Sequence, residues 1–375
     1  MATEEPGEPE GSGKAGETTA FPRRFVVLVQ EERVFLALLL IGFLTAALTY
    51  QTPIIAMWVG FAVAGYSAVA NDSIQTLGTF ISSNKDQKWW VLWLFVGGIF
   101  LVTVTYSFVT YDGDVTFERL ASKGFDTAPT EFTFLQVAAP LFLLVLTRLK
   151  MPVSTTFLLL SCFATEASGV GSVLLKSLAG YGLALVSSII VWLIFSKLFE
   201  RWFTGEPHKI WRPLQWLSSG FLWSVWIMQD AANIAVYLPR HMELTHFVGF
   251  AGVVFLGLGL LFKLGGERVQ EVVDEKSKVI DVRNATMINL VYGVILYYFK
   301  VVSNVPMSTT WVFIGLLGGR ELAMAIRSTS KRPVKETLRV MGKDLFYVTI
   351  GLVVSMVLAY AVNPSFREQV DAFLG

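Results

Sequence analysis

Two short stretches place a carboxylate and an amide where nearly everything around them is apolar. Asn71-Asp72-Ser73-Ile74-Gln75 sets Asp72 three residues before Gln75, and Gln229-Asp230-Ala231-Ala232-Asn233 sets Asp230 three residues before Asn233. In a helix, positions i and i+3 share a face. An aspartate at mid-membrane depth costs about 3 kcal/mol on insertion scales, so it is kept mainly where it binds something. Asp72 and Asp230, with Asn71, Gln75, Gln229 and Asn233 as neutral oxygen donors, suit a hard cation such as Na+. Protonated carboxylates would serve the same end with H+. The competing reading is a hydrogen-bonded pair that only joins helices.

A second motif also occurs twice: Pro152-Val153-Ser154-Thr155-Thr156 and Pro306-Met307-Ser308-Thr309-Thr310. Proline interrupts a helix and permits a new one to start just after it. Ser and Thr hydroxyls cap such a start, whose free N–H groups form an anion site. Two starts converging from opposite sides would hold one small oxyanion. Alternatively, the hydroxyls back-bond to their own helix and tolerate a kink. Glu166 and Glu321 follow Ser154 and Ser308 at similar offsets and read either as gating acids or as solvated loop-end carboxylates.

The elements that must position these residues are membrane helices. The 375-residue chain is 54% hydrophobic and 16% charged, with a mean hydropathy of +0.57, whereas a soluble domain carries about 25% charged residues. Many windows of 18 or more residues are almost free of charge, which identifies an all-α polytopic membrane protein. Counting each Asp-bearing or Pro-x-Ser-Thr-Thr segment as one interrupted crossing gives about eleven crossings. With the N-terminus in the cytoplasm, 24 of the 30 Lys and Arg fall on the cytoplasmic side, the bias the positive-inside rule expects. Arg119, Lys123, Lys176, Arg240, Lys300 and Arg367 remain outside. The cluster Arg327, Lys331, Arg332, Lys335 and Arg339 reads as an orientation signal that meets anionic lipid.

The expected organisation is a disordered cytoplasmic tail (1–22), a peripheral transmembrane helix (23–50), a first repeat (51–197), a cytoplasmic linker (198–213), a second repeat (214–363) and an extracytoplasmic tail (364–375). Pro-x-Ser-Thr-Thr arises by chance on the order of once per 10⁵ positions, so two copies at matched offsets from Asp72 and Asp230 point to duplication. The charged stretches 111–132 and 265–283 fall on opposite sides, which makes the repeats inverted. Such repeats are common in secondary transporters, whose sites lie at mid-membrane between them.

Other chemistries are excluded or disfavoured. One cysteine, Cys162, permits no intramolecular disulfide and no Cys-cluster metal site. Three histidines in loops or at helix ends, with no paired base near the Ser, Thr and Asp residues, argue against an enzyme. A near-neutral net charge gives no sign of a nucleic-acid partner, and no cofactor is expected beyond a carried Na+ or H+. A membrane anion sensor is the rival from another class.

Asn71-Asp72-Ser73-Ile74-Gln75-Thr76-Leu77-Gly78-Thr79 resembles the Gly-Ala-Asn-Asp-Val-Ala-Asn-Ala-x-Gly-Thr signature of the inorganic phosphate transporter (PiT) family, and Gln229-Asp230-Ala231-Ala232-Asn233 resembles its second copy. Both Pro-x-Ser-Thr-Thr elements recur at the family's spacing, and the resemblance covers about residues 52–363. It implies a plasma-membrane symporter of phosphate, or in some relatives sulfate, driven by Na+ or H+, with a homodimer as precedent. The anion would sit among Ser154, Thr155, Thr156, Ser308, Thr309, Thr310, Gln75 and Asn233. Asn71, Asp72, Gln229 and Asp230 would take the coupling cation. The chain departs from the pattern at Gln75 and Gln229, where the family has Asn, and at Phe157 and Trp311, where it has His.

Overall fold

The computed structural model describes residues 32–122, 124–149, 151, 153–202, 205–264, 281–327 and 332–374. The expected tail 1–22, Pro152, most of the charged stretch 265–283 and Lys331 lie outside them. The described residues are helical, without strands. In order the helices are α1 (Arg33–Thr49), α2 (Pro53–Thr76), α3 (Gly78–Ser83), α4 (Trp89–Thr110), α5 (Phe134–Arg148), α6 (Ala167–Trp202), α7 (Trp211–Ala235), α8 (Leu244–Leu264), α9 (Val282–Val302), α10 (Thr309–Ile326), α11 (Val334–Val362) and α12 (Pro364–Leu374). Between α5 and α6 run a π-turn, Thr156–Leu160, and a 3₁₀ turn, Ser161–Phe163. The chain divides into two units, Met1–Thr45 and Ala46–Gly375. In the first, α1 begins after Glu32, and the Thr45 hydroxyl donates to Ile41 O within the helix.

Six of these helices are long and apolar enough to cross a membrane: α2, α4, α6, α8, α9 and α11; α1 and α5 are shorter apolar helices. The exposed faces agree with this. On α8, Leu244, Val248, Leu256 and Leu260 form a stripe at spacings of four and eight, each at least half exposed. A contiguous apolar stripe of this kind is unusual on a water-soluble monomer. The protein is an integral membrane protein.

Close helix contacts come from small residues. Gly315 and Gly319 of α10 face α6, where a Cβ would lie 2.5 Å from Tyr181 O and 2.4 Å from Leu185 O. This is the small-x-x-x-small spacing that lets membrane helices approach backbone to backbone. α7 packs along α9, and α2 lies against α5, α7 and α8.

Helix ends and breaks are matched by side chains. Thr133 and Gln136 form a reciprocal capping box at the start of α5. Asp281 caps α9 by accepting from Arg283 N at 2.8 Å, and the adjoining guanidinium holds its carboxyl below the ordinary value against the opposing effect of burial. Pro140 inside α5 removes the donor that Gln136 O would accept from. The fully buried Tyr237 hydroxyl supplies the missing bond, donating to Gln136 O at 2.8 Å.

Candidate functional site

α2 delivers Asn71, Asp72 and Gln75; α7 delivers Gln229, Asp230 and Asn233. All six are buried, as are both Ser-Thr-Thr triplets. Hydrogen bonds join eight of them, Asn71, Asp72, Gln75, Thr155, Thr156, Asp230, Asn233 and Thr310, into one network, while Gln229 donates to Leu296 O at 2.9 Å.

Each triplet begins with a serine acting as a cap. Ser154 Oγ accepts from Phe157 N at 3.2 Å, and Ser308 Oγ accepts from Trp311 N at 3.3 Å. The bond spans three residues in both copies, the geometry expected of an N-cap. Beyond the cap the copies differ. The second continues as the 18-residue α10, while the first forms the five-residue π-turn and a 3₁₀ turn before α6.

The triplets meet through equivalent atoms. Thr156 Oγ1 donates to Met307 O at 3.1 Å, and Thr310 Oγ1 donates to Val153 O at 3.3 Å. Thr156 and Thr310 hold the same place in the motif, as do Val153 and Met307, so each bond is the other with the halves exchanged. The next equivalent pair, Phe157 and Trp311, also meets, with ring centroids 6.0 Å apart. Two aromatic rings thus pack where the family pattern has histidines.

The aspartate elements cross between halves as well. Gln75 Nε2 lies 3.5 Å from Asp72 Oδ1 in its own helix and donates to Thr310 Oγ1 of the other half at 3.2 Å. Asn233 Nδ2 approaches Asp230 Oδ1 at 2.5 Å, Thr155 Oγ1 at 3.0 Å and Thr156 Oγ1 at 3.2 Å. Thr155 Oγ1 in turn donates to Asp72 Oδ2 at 3.1 Å. The two carboxylates are therefore joined by one chain: Asp72, Thr155, Asn233, Asp230. Two anionic carboxylates in such a setting repel each other and are costly to desolvate, so a cation or proton is needed to offset both terms.

Within the motifs themselves the spare capacity is all on oxygen, while Trp226 Nε1 on the wall of a nearby crevice is an unpaired donor among the described residues. Among the described residues, Gln75 Oε1, Gln229 Oε1 and Asn233 Oδ1 are buried without hydrogen-bond partners, and Asp230 Oδ2 and the Thr309 hydroxyl approach each other without reaching hydrogen-bond geometry. Each unsatisfied buried polar atom costs about 1–3 kcal/mol. A small hard cation would satisfy oxygens of this type. A crevice of about 10 Å³ beside Asp230, walled by Val69, Phe100, Trp223, Trp226 and Ile227, has room for about one water molecule.

Three of the expected site residues are held by other contacts. Asn71 is fully engaged as a strut, donating to Val153 O at 3.0 Å and Asp72 Oδ1 at 2.8 Å while accepting from Thr147 at 3.0 Å. Glu166 accepts from Ser168 at 2.8 Å near the start of α6, and Glu321 pairs with Arg320 at 2.8 Å. Among the described residues, neither glutamate joins the hydrogen bonds that connect the triplets.

Sequence reasoning missed Arg119. It lies in the 111–132 connection, yet it is fully buried and interacts electrostatically with Asp230. Its Nε lies 3.4 Å from Met228 O, next to Gln229-Asp230, and Nη1 donates to Ser303 O, just before the second motif. Burial lowers the guanidinium to about 10 while Asp230 pulls the other way, so it remains cationic at neutral pH. The only sequence signal was an arginine closely following Gly113-Asp114, a turn-forming pair.

No protein-family model matches the chain, and no curated protein matches it. A solved structure described as "The sodium-dependent phosphate transporter" does match, with a TM-score of 0.56 and 16% identity over 84% of this chain and 98% of that one. The two proteins share a fold.

Proposed function

We propose that this chain is a divergent PiT-like secondary active symporter that carries a small inorganic oxyanion, phosphate first, together with Na+ or H+. The reciprocal bonds Thr156–Met307 and Thr310–Val153 carry the reading. They support a site built on a two-fold relation between repeats, at the level where both buried aspartates sit. Alternating access about such a site needs two halves able to exchange conformations. The shared fold with a sodium-dependent phosphate transporter adds support.

The roles follow from chemistry. Asp72, Asp230 and the unpaired oxygens of Gln75, Gln229 and Asn233 suit the coupling cation. The serine and threonine hydroxyls of both motifs, with the amides of Gln75 and Asn233, suit the anion. Bound together, cation and oxyanion offset each other's charge and that of the carboxylates, so neither crosses cheaply alone. The charge distribution together with the two-fold relation favours inverted repeats. Counting α1, α2, α4, α5, the first Ser-Thr-Thr segment and α6 to α11 gives eleven crossings, with the N-terminus cytoplasmic, the C-terminus outside and the plasma membrane as the setting.

Uptake of labelled phosphate into proteoliposomes, under an inward Na+ gradient, an inward H+ gradient or neither, tests the reading. Accumulation under one gradient, blocked by arsenate or sulfate but not chloride, is expected and names the ion. Binding without accumulation under any gradient would instead indicate an anion sensor.

A further inference from the structure

Three cations converge where α9 ends, just before the second Pro-x-Ser-Thr-Thr motif. Arg119 and Lys176 both donate to Ser303 O and Val305 O, the Lys176–Ser303 bond being 2.9 Å. Lys300 interacts electrostatically with Arg119, and its ammonium lies 5.7 Å from the centroid of the Phe117 ring. Arg119 is brought here by a tight turn. Asp114 accepts from Thr116 N and Glu118 N, both at 2.6 Å, and Phe117 and Glu118 take left-handed φ values of 55° and 61°. Non-glycine residues there are strained, and such strain concentrates at functional sites.

Capping a helix explains only part of the cluster. A helix C-terminus carries roughly half a negative charge, and one cation satisfies it. Here two cations share two carbonyls, a third stands near, and Arg119 Nη2 has no partner among the described residues although the residue is fully buried. The neighbouring acids, Asp230 beside Arg119 and Asp114 and Glu118 beside Lys300, act on the cluster through charge and leave Nη2 unbonded. Asp114 is spent on backbone N–H groups, and Glu118 is exposed, with Asn304 Nδ2 at 3.5 Å.

We propose that Arg119, Lys176 and Lys300 form an anion-receiving station, on the carbonyls that precede the second Pro-x-Ser-Thr-Thr motif, that takes a small inorganic oxyanion from the 111–132 side and passes it inward. The transfer rests on the symport reading; the binding does not. An oxyanion there would satisfy Nη2. It would also draw Arg119, a first-half residue, away from Met228 O and Ser303 O, both carbonyls of the second half, so anion arrival would loosen a contact between the halves.

Binding of labelled phosphate and of labelled sulfate to the full chain in nanodiscs, at low and at physiological ionic strength, tests the station. Ser154→Ala/Ser308→Ala should retain weak, salt-sensitive binding. Adding Arg119→Gln or Lys300→Gln should raise its Kd about tenfold, the loss of one charge-assisted hydrogen bond, with Arg119→Lys partly restoring it. Lys300 is half-buried at a helix end, so its variant gives a reading even if Arg119→Gln fails to fold. The proposal is overturned if the wild type binds neither anion, if the serine variant binds nothing, or if residual binding ignores the added substitutions. Binding that depends on Arg119 without gradient-driven uptake would leave the station standing and remove symport.

Discussion

Replacing Asp72 or Asp230 by asparagine keeps the shape and most of the hydrogen bonding while removing the charge. Each variant should fold and lose gradient-driven uptake; uptake at the wild-type rate would take that aspartate out of coupling. Ser154→Ala and Ser308→Ala each remove a cap, at about 1 kcal/mol of stability, and should raise the apparent KM for phosphate. An unchanged KM in both would make the serines caps alone. These residues were legible in the sequence because polar atoms in an apolar segment need a reason to be there. Arg119 was not. Its place in a connection gave no sign of burial, which depends on a left-handed turn at Phe117 and Glu118 that local preferences argue against.

Among the elements, α5 shows most plainly how a break is repaired. Tyr237→Phe leaves Gln136 O without its donor and should cost about 1–3 kcal/mol, read as a lower unfolding midpoint in detergent. Adding Pro140→Ala restores a backbone donor within reach of the same carbonyl and should recover part of the loss; no recovery would mean that the Tyr237 hydroxyl acts elsewhere. Gly315→Leu should disrupt the α6–α10 contact and lower the yield of folded protein, because the obstruction is backbone, Tyr181 O at 2.5 Å, and cannot swing aside. Proline inside α5 and glycines in α10 can be read from the sequence, but their partners cannot. Tyr237 lies 101 residues from Gln136, and no local pattern links them. Nor did the two similar motifs announce different continuations, one a π-turn and the other an 18-residue helix. That difference depends on what each segment packs against.

At the scale of the whole molecule, the all-helical membrane fold was legible because hydropathy is a property of long windows and survives errors at their ends. The exchange of hydrogen bonds between halves was legible only as a suspicion of duplication, since the sequence does not say which atoms meet. A tag placed after Gly375 should be reachable from outside intact cells, and protection there would overturn the eleven-crossing arrangement. The matched centre and unmatched flanks carry a further consequence. If two equal halves traded conformations, the two resting states of a carrier would be equally populated. Here one Ser-Thr-Thr segment is backed by eighteen helical residues and the other by a five-residue turn, so under the proposed alternating access the two states should differ in energy. Uptake and efflux measured across the same membrane under equal and opposite gradients should then show unequal half-saturation concentrations, the behaviour of a partial rectifier.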